Sequence, residues 1–167
     1  MDLILHGYPF LYSIYHLLLG IYEVETNHHP DHLIDLVGHS LGGLIIRDFV
    51  AQYPKWKIGR CVTLGTPHIG SVCADYIWRL TPVVVGRSYV DALDGTVAPL
   101  PKHVTLGVIA GNRPYGLGQL FLQYHNRKLN KEDASVAENC AHDGTVYVSE
   151  TRLDCANDHI VLPVTHT

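Results

Sequence analysis

The residues with the clearest chemical purpose are Gly38-His39-Ser40-Leu41-Gly42-Gly43. A serine in a Gly-x-Ser-x-Gly spacing suits a nucleophile elbow, a turn so tight that small residues must flank the serine, which lifts the hydroxyl clear of the backbone. Gly38 and Gly42 occupy the flanking positions. A serine hydroxyl is a weak nucleophile until a neighbouring base takes its proton, and that base needs an acid to hold its tautomer and stabilise its charged form. The chain must therefore supply an imidazole and a carboxylate from elsewhere. With 12 His and 16 Asp plus Glu available, order along the chain selects little by itself.

Local context narrows the choice. Asp143 precedes Gly144 in a turn-forming pair, which suits a carboxylate carried on a loop beyond a strand end, or a turn aspartate that caps its own backbone. Asp154 and Asp158 stand in reserve. His166 follows the apolar run Ile160 to Val164, where a base on the loop after a last strand would sit; His159 enters the same run and reads as structural, with reversed roles as the alternative. The backbone N–H of Leu41, at the start of a predicted helix, would face negative charge developing on a substrate carbonyl oxygen. His39 and His68 are expected to shape the pocket. His28, His29 and His32 with Asp31 form the one metal-like cluster, which reads as a solvated loop; Cys140 with His142 is weaker still. No metal and no cofactor is expected.

These side chains need a frame. Apolar runs at Leu3 to Leu5, Leu33 to Val37, Cys61 to Leu64, Val104 to Ala110 and Ile160 to Leu162 read as five strands. Helical patterns fall between them at Leu11 to Tyr22 and Leu44 to Tyr53, the second ended by Pro54. Such alternation predicts an α/β fold, a mostly parallel sheet with helices on both faces, in one domain spanning residues 1–167. Ser71 to Lys102 and Arg113 to Glu138 do not fit the alternation and read as excursions over one sheet edge. The first is expected to be a lid or a wall of the ligand site.

Composition excludes several classes. The chain has 167 residues, 47% hydrophobic and 17% charged, enough to bury one core and unlike a disordered protein. A net charge of −4 with scattered basic residues argues against nucleic acid and anionic membrane surfaces as partners. The apolar stretch Phe10 to Tyr22 is shorter than the roughly 20 residues a spanning helix needs. The opening residues lack a basic region and a small-residue cleavage site, so no secretory signal is expected. Cys61, Cys73, Cys140 and Cys155 are too few and too far apart for a disulfide framework, which points to reduced thiols in a cytoplasm; a Cys140 to Cys155 bridge is the alternative.

The elbow, the segment Leu64-Gly65-Thr66-Pro67-His68-Ile69-Gly70-Ser71, the run Asp143-Gly144-Thr145-Val146 and the terminal Asp158 to Thr167 together resemble the α/β-hydrolase superfamily, in particular its lipase-like serine esterases. The resemblance implies a Ser-Asp-His triad in that chain order, Ser40, Asp143 and His166, and an ester of a lipid or another small molecule as substrate. Two features depart from the pattern. His6-Gly7 looks like the motif that gives a second oxyanion donor, but Tyr8 to Leu33 leave room for only one crossover where the family has two. Leu3 to Leu5 then align with the strand just before the elbow strand, and Tyr8-Pro9 resembles the pair that follows it. The oxyanion loop would lie outside this sequence, or Gly7 or Tyr8 would replace it. His166 is also the penultimate residue, as if a final helix were missing. Three alternatives follow: transfer of the acyl group to an acceptor other than water, a non-catalytic binding module of the same fold, and metal-dependent hydrolysis through the His28 to His32 cluster.

Overall fold

Apolar runs that end in glycine form strands whose carboxyl ends open into tight turns, and the computed structural model follows that rule. It describes residues 33–166 apart from positions 55, 82, 84–91, 98, 102 and 133–139. Four strands, β1 (Ile34–His39), β2 (Ile58–Leu64), β3 (Thr105–Gly111) and β4 (Asp158–Leu162), lie side by side in chain order. Every neighbouring pair is parallel. The predicted run Leu3 to Leu5 lies outside the described residues. The observed strands start or end within three residues of the expected runs, β2 gaining Ile58 to Arg60 ahead of Cys61.

Register aligns the strand ends. Gly38 lies opposite Thr63, Thr63 opposite Val108 and Val108 opposite His159. The segments that follow the four strands therefore emerge along one edge, where ligands of open α/β sheets bind. A register shift between Ile34 and Leu36 is filled by the Asp35 side chain, whose Oδ1 accepts the Arg60 N–H at 2.7 Å.

Helix α1 (Leu41–Gln52) packs on β1 and β2 and buries Leu44, Ile46, Arg47 and Val50. Ile46 and Val50 meet Cys61, Leu106 and Val108, with Leu100 and Val104 closing the cluster. Cys61 and Leu106 are register partners, so these residues form one face of the sheet. Each such side chain contributes about 1.5–3 kcal/mol on burial. Burial also raises the Cys61 and Cys73 thiols to about 11, which keeps them protonated and inert. The four cysteines are unbridged.

The two segments without clear alternation each contain a helix, α2 (Val72–Leu80) and α3 (Gln119–Glu132), and these two pack together. Ser71 starts α2 by accepting the Ala74 N–H on its Oγ at 3.2 Å. Asp75 in its first turn and Arg79 in its last suit the helix dipole and pair with each other at 2.9 Å. A second small core joins Cys73, Leu122 and Tyr147. Helix α3 escapes a pattern search because Leu122 is buried while Leu120 and Tyr124 face outward. Among the described residues no helix is long and apolar enough to cross a membrane.

Candidate active site

The turn from β1 into α1 is made at Ser40, with φ 53° and ψ −124°, the only non-glycine at positive φ among the described residues. A side chain held there stores on the order of 1–3 kcal/mol of strain, so the surroundings must hold it. They do so at the backbone. The Ser40 N–H donates to the Leu64 carbonyl at 2.8 Å, while its own carbonyl accepts from the Thr66 hydroxyl at 2.8 Å and the Gly43 N–H at 3.1 Å.

Glycine is demanded at two places around this turn, and only one is as expected. A Cβ on Gly38 would meet the backbone of Gly42 and Gly43, each at 2.7 Å. A Cβ on Gly43 would run into the Thr66 hydroxyl and methyl and into the Thr63 methyl. At Gly42 an added Cβ would meet nothing within 4 Å among the described residues. Among the described residues the steric demand assigned to Gly42 therefore belongs to Gly43, because it is Gly43 that faces the β2 turn.

Ser40, His166 and Asp143 come together. Ser40 Oγ is 3.0 Å from His166 Nε2, and His166 Nδ1 is 2.7 Å from Asp143 Oδ2. The carboxylate is an acceptor, so Nδ1 carries the ring proton and Nε2 is left to accept from the serine hydroxyl. The His166 and Asp143 side chains are 8% and 2% exposed, which strengthens the pair by keeping water out. Asp143 also does what a turn aspartate does: Oδ1 accepts the Thr145 and Val146 N–H groups at 2.9 and 2.8 Å. One oxygen thus closes the turn and the other meets the His166 ring.

The main chain of His166 is held too. Its N–H donates to the Asp143 carbonyl at 2.9 Å, and its carbonyl accepts from His39 Nε2 at 2.7 Å, with the two rings 4.8 Å apart. Gly65, at φ 54°, lies beneath the pair: a Cβ there would sit 3.1 Å from both Asp143 Oδ2 and His166 Nδ1. Gly111, at the end of β3, leaves room for Val164 and Asp143 in the same way.

The other candidates have other duties. His159 Nε2 hydrogen-bonds the Thr151 hydroxyl at 2.8 Å, while Asp154 and Asp158 are exposed and the bond to His166 is made by Asp143. His68 is buried with Nε2 against the Thr63 hydroxyl at 2.9 Å, and burial, then Arg47 and His159, push it down to about 3, so it is a neutral packing residue. His142 accepts the Gly144 N–H on Nδ1 at 3.1 Å and supports the Asp143 turn. The His28 to His32 cluster, His6-Gly7 and Tyr8 lie outside the described residues. Among the described residues no group of three or more His, Cys, Asp or Glu is placed to hold a metal.

Two supporting residues carry no sequence signal of their own. Arg47, buried on α1, donates to the His68 and Val97 carbonyls at 2.7 and 3.0 Å and ties down the segment after β2. Glu150 accepts the Val72 N–H on Oε1 at 2.6 Å and the Tyr147 N–H on Oε2 at 2.9 Å, linking the start of α2 to the turn that carries Asp143. Burial raises Glu150 to about 7 against the effect of those two bonds, with Asp143 raising it further.

Chemically, the arrangement can deprotonate an alcohol and set it against an electrophilic carbon. The Leu41 N–H, the first of α1, has no carbonyl four residues back within the helix and is positioned at its positive end.

The sequence matches the model of the alpha/beta hydrolase fold family over residues 12–141. That span includes Ser40 and ends before Asp143 and His166. In shape the chain is similar to the lipase BlEst2 of Bacillus licheniformis in its mature form, with TM-score 0.61 and 23% identity over 89% of this chain and 62% of that one. It is also similar to the metagenomic carboxyl esterase MGS0156, with TM-score 0.55 and 18% identity over 87% of this chain and 48% of that one. At these identities the likeness is one of fold, and this chain spans less than two thirds of either protein.

Proposed function

Because the chain belongs to the α/β-hydrolase fold family, we propose that it hydrolyses carboxylic esters through an acyl-enzyme formed on Ser40. The observation that carries this reading is the continuous line from Ser40 Oγ through His166 to Asp143 Oδ2, with links of 3.0 and 2.7 Å. That the similar folds include a lipase and a carboxyl esterase supports the choice of ester over other acyl compounds.

Ser40 Oγ attacks the ester carbonyl while its proton moves to His166 Nε2. Asp143 stabilises the imidazolium that forms, and the Leu41 N–H donates to the carbonyl oxygen as it becomes negative. One such donor is typically worth about 10²–10³ in turnover. Collapse of the tetrahedral intermediate breaks the bond to the alcohol oxygen, which leaves with the proton from Nε2. Water then attacks the acyl-serine, giving its proton to Nε2, and the acid departs as Ser40 regains its hydrogen. No cofactor enters these steps, and the substrate class is a lipid or other small-molecule ester.

The test is labelling by a fluorophosphonate together with hydrolysis of a p-nitrophenyl ester. Labelling at Ser40 and turnover, both abolished in Ser40→Ala, is the expected result, with kcat falling by roughly 10⁴-fold or more. A folded wild-type protein that neither labels nor turns over would overturn the reading in favour of a binding module. Labelling with the acyl group recovered on an added alcohol instead of water would reassign it to acyl transfer.

A further inference from the structure

His166 uses every polar group it has. Its ring nitrogens meet Asp143 and Ser40, its N–H meets the Asp143 carbonyl, and its own carbonyl is taken by the His39 ring. The last of these contacts is unlike the others. His39 is exposed, so packing does not force its ring towards His166, yet Nε2 lies 2.7 Å from the carbonyl and the rings are 4.8 Å apart at 43°. His39 is also the last residue of β1 and the chain neighbour of Ser40.

We propose that His39 is a positioning residue: its Nε2–H fixes the main chain of His166 to the same strand end that presents the nucleophile. The inference rests on His166 being the base. Ser40 and its base are 126 residues apart in sequence and are brought to 3.0 Å. Without the His39 bond the main chain of the loop after β4 is held by the Arg113 N–H on the Val164 carbonyl at 3.0 Å and by the Asp143 carbonyl on the His166 N–H at 2.9 Å, neither of them a bond from the strand that carries the serine. With it, the strand end grips both the hydroxyl and the imidazole, so a shift of one carries the other. Misplacement by about 1 Å can lower turnover by roughly 10²-fold, so a bond of ordinary strength can have a large kinetic effect. The tautomer is fixed as well: His39 must carry its proton on Nε2, because a carbonyl only accepts.

Three variants separate the hydrogen bond from the ring contact. His39→Gln keeps an N–H donor of similar reach and loses the ring; His39→Phe keeps a ring and loses the donor; His39→Ala loses both. With p-nitrophenyl acetate, the Gln variant is expected to retain most of kcat, while Phe and Ala fall by roughly 10- to 100-fold with KM changed by less than about 2-fold. Thermal melts report folding, and the Gln and Ala pair still decides the matter should Phe unfold. The downfield proton resonance of His166 Nδ1–H is the second readout: it is expected in wild type and Gln and is broadened or lost in Ala.

That resonance does not depend on turnover. An inactive wild type whose resonance still follows the Gln and Ala pattern would sink the proposed esterase while leaving the positioning role in place. An active enzyme whose three variants match wild type, fall equally, or change KM instead of kcat would sink the positioning role alone.

Discussion

The Ser40 end and the Asp143 and His166 end of the candidate site are built by different physics. Around Ser40 the construction is steric and local. Gly38 lies against the backbone of Gly42 and Gly43, and Gly43 against Thr66 and Thr63, with no space for one more carbon. Around His166 the construction is polar and long-range, a set of hydrogen bonds joining residues 23, 126 and 127 positions apart. The supporting elements differ too: helix α1 buries Leu44 and Ile46 beside the Ser40 turn, whereas Ile160, Val161 and Leu162 of β4 are each more than a third exposed. One end should therefore fail when an atom is added, and the other when a lone pair or a donor is removed.

The sharpest test of that contrast is at Asp143. Asp143→Asn keeps an oxygen for the Thr145 and Val146 N–H groups but presents an amide to His166, so kcat should fall by roughly 10³- to 10⁴-fold with folding largely kept. Asp143→Ala should show the same kinetic loss and also lose about 1–3 kcal/mol of stability, because the buried Val146 N–H and the half-buried Thr145 N–H are left without an acceptor. Turnover and urea unfolding read the two effects separately. Equal destabilisation by Asn and Ala would mean that the turn does not depend on the Oδ1 bonds.

The steric end is tested by two neighbouring glycines. Gly43→Ala is expected to lose about 1–3 kcal/mol, since a buried threonine must move, while Gly42→Ala should stay within about 1 kcal/mol and gain from alanine's helix preference. Similar melting temperatures for the two would break the comparison.

Acidity gives a third test, on the link between the Asp143 turn and α2. Glu150 is raised from 4.5 to about 7, so its proton is held more tightly in the folded state, and its contribution to stability declines as pH rises from 4.5 to 7. His68 is lowered from 6.5 to about 3, so the unfolded chain takes up that proton first, and stability declines as pH falls from 6.5 to 3. The two oppose each other between 4.5 and 6.5. In Glu150→Gln the histidine acts without that opposition, and stability should climb with pH more steeply than in wild type, by up to about 1.4 kcal/mol per pH unit. Parallel unfolding curves at pH 5 and 6.5 would refute it. Thr66→Val, which removes the hydroxyl from the Ser40 carbonyl, should lower stability by about 1 kcal/mol in the same assay.

What was legible in the sequence follows the same division. A steric device leaves its demand in contiguous residues, and Gly38 to Gly43 between an apolar run and a helical pattern announced the turn. The four strands were legible because each is an apolar run beside a turn former. Asp143 and His166 are marked as candidates by their neighbours, a glycine and a preceding strand. The exchange of Gly42 for Gly43 was not legible, because it depends on which way α1 faces Thr66. Neither was the role of Glu150, whose acceptors are used by backbone groups of two separate segments, nor the bond from His39 to a residue at the other end of the chain. Helix α3 is hidden for a compositional reason: a helix with a narrow buried stripe has little periodicity to read.

One oxygen of Asp143 closes its own bend and the other steadies an imidazole, so in this molecule shape and charge are written into a single carboxylate. Moving that group to glutamate would lengthen the arm by a methylene and pull one oxygen from its place whenever the other is satisfied. Anyone wishing to retune the electrostatics around His166 would have to redesign the whole tetrapeptide from 143 to 146, not exchange one acid for its homologue.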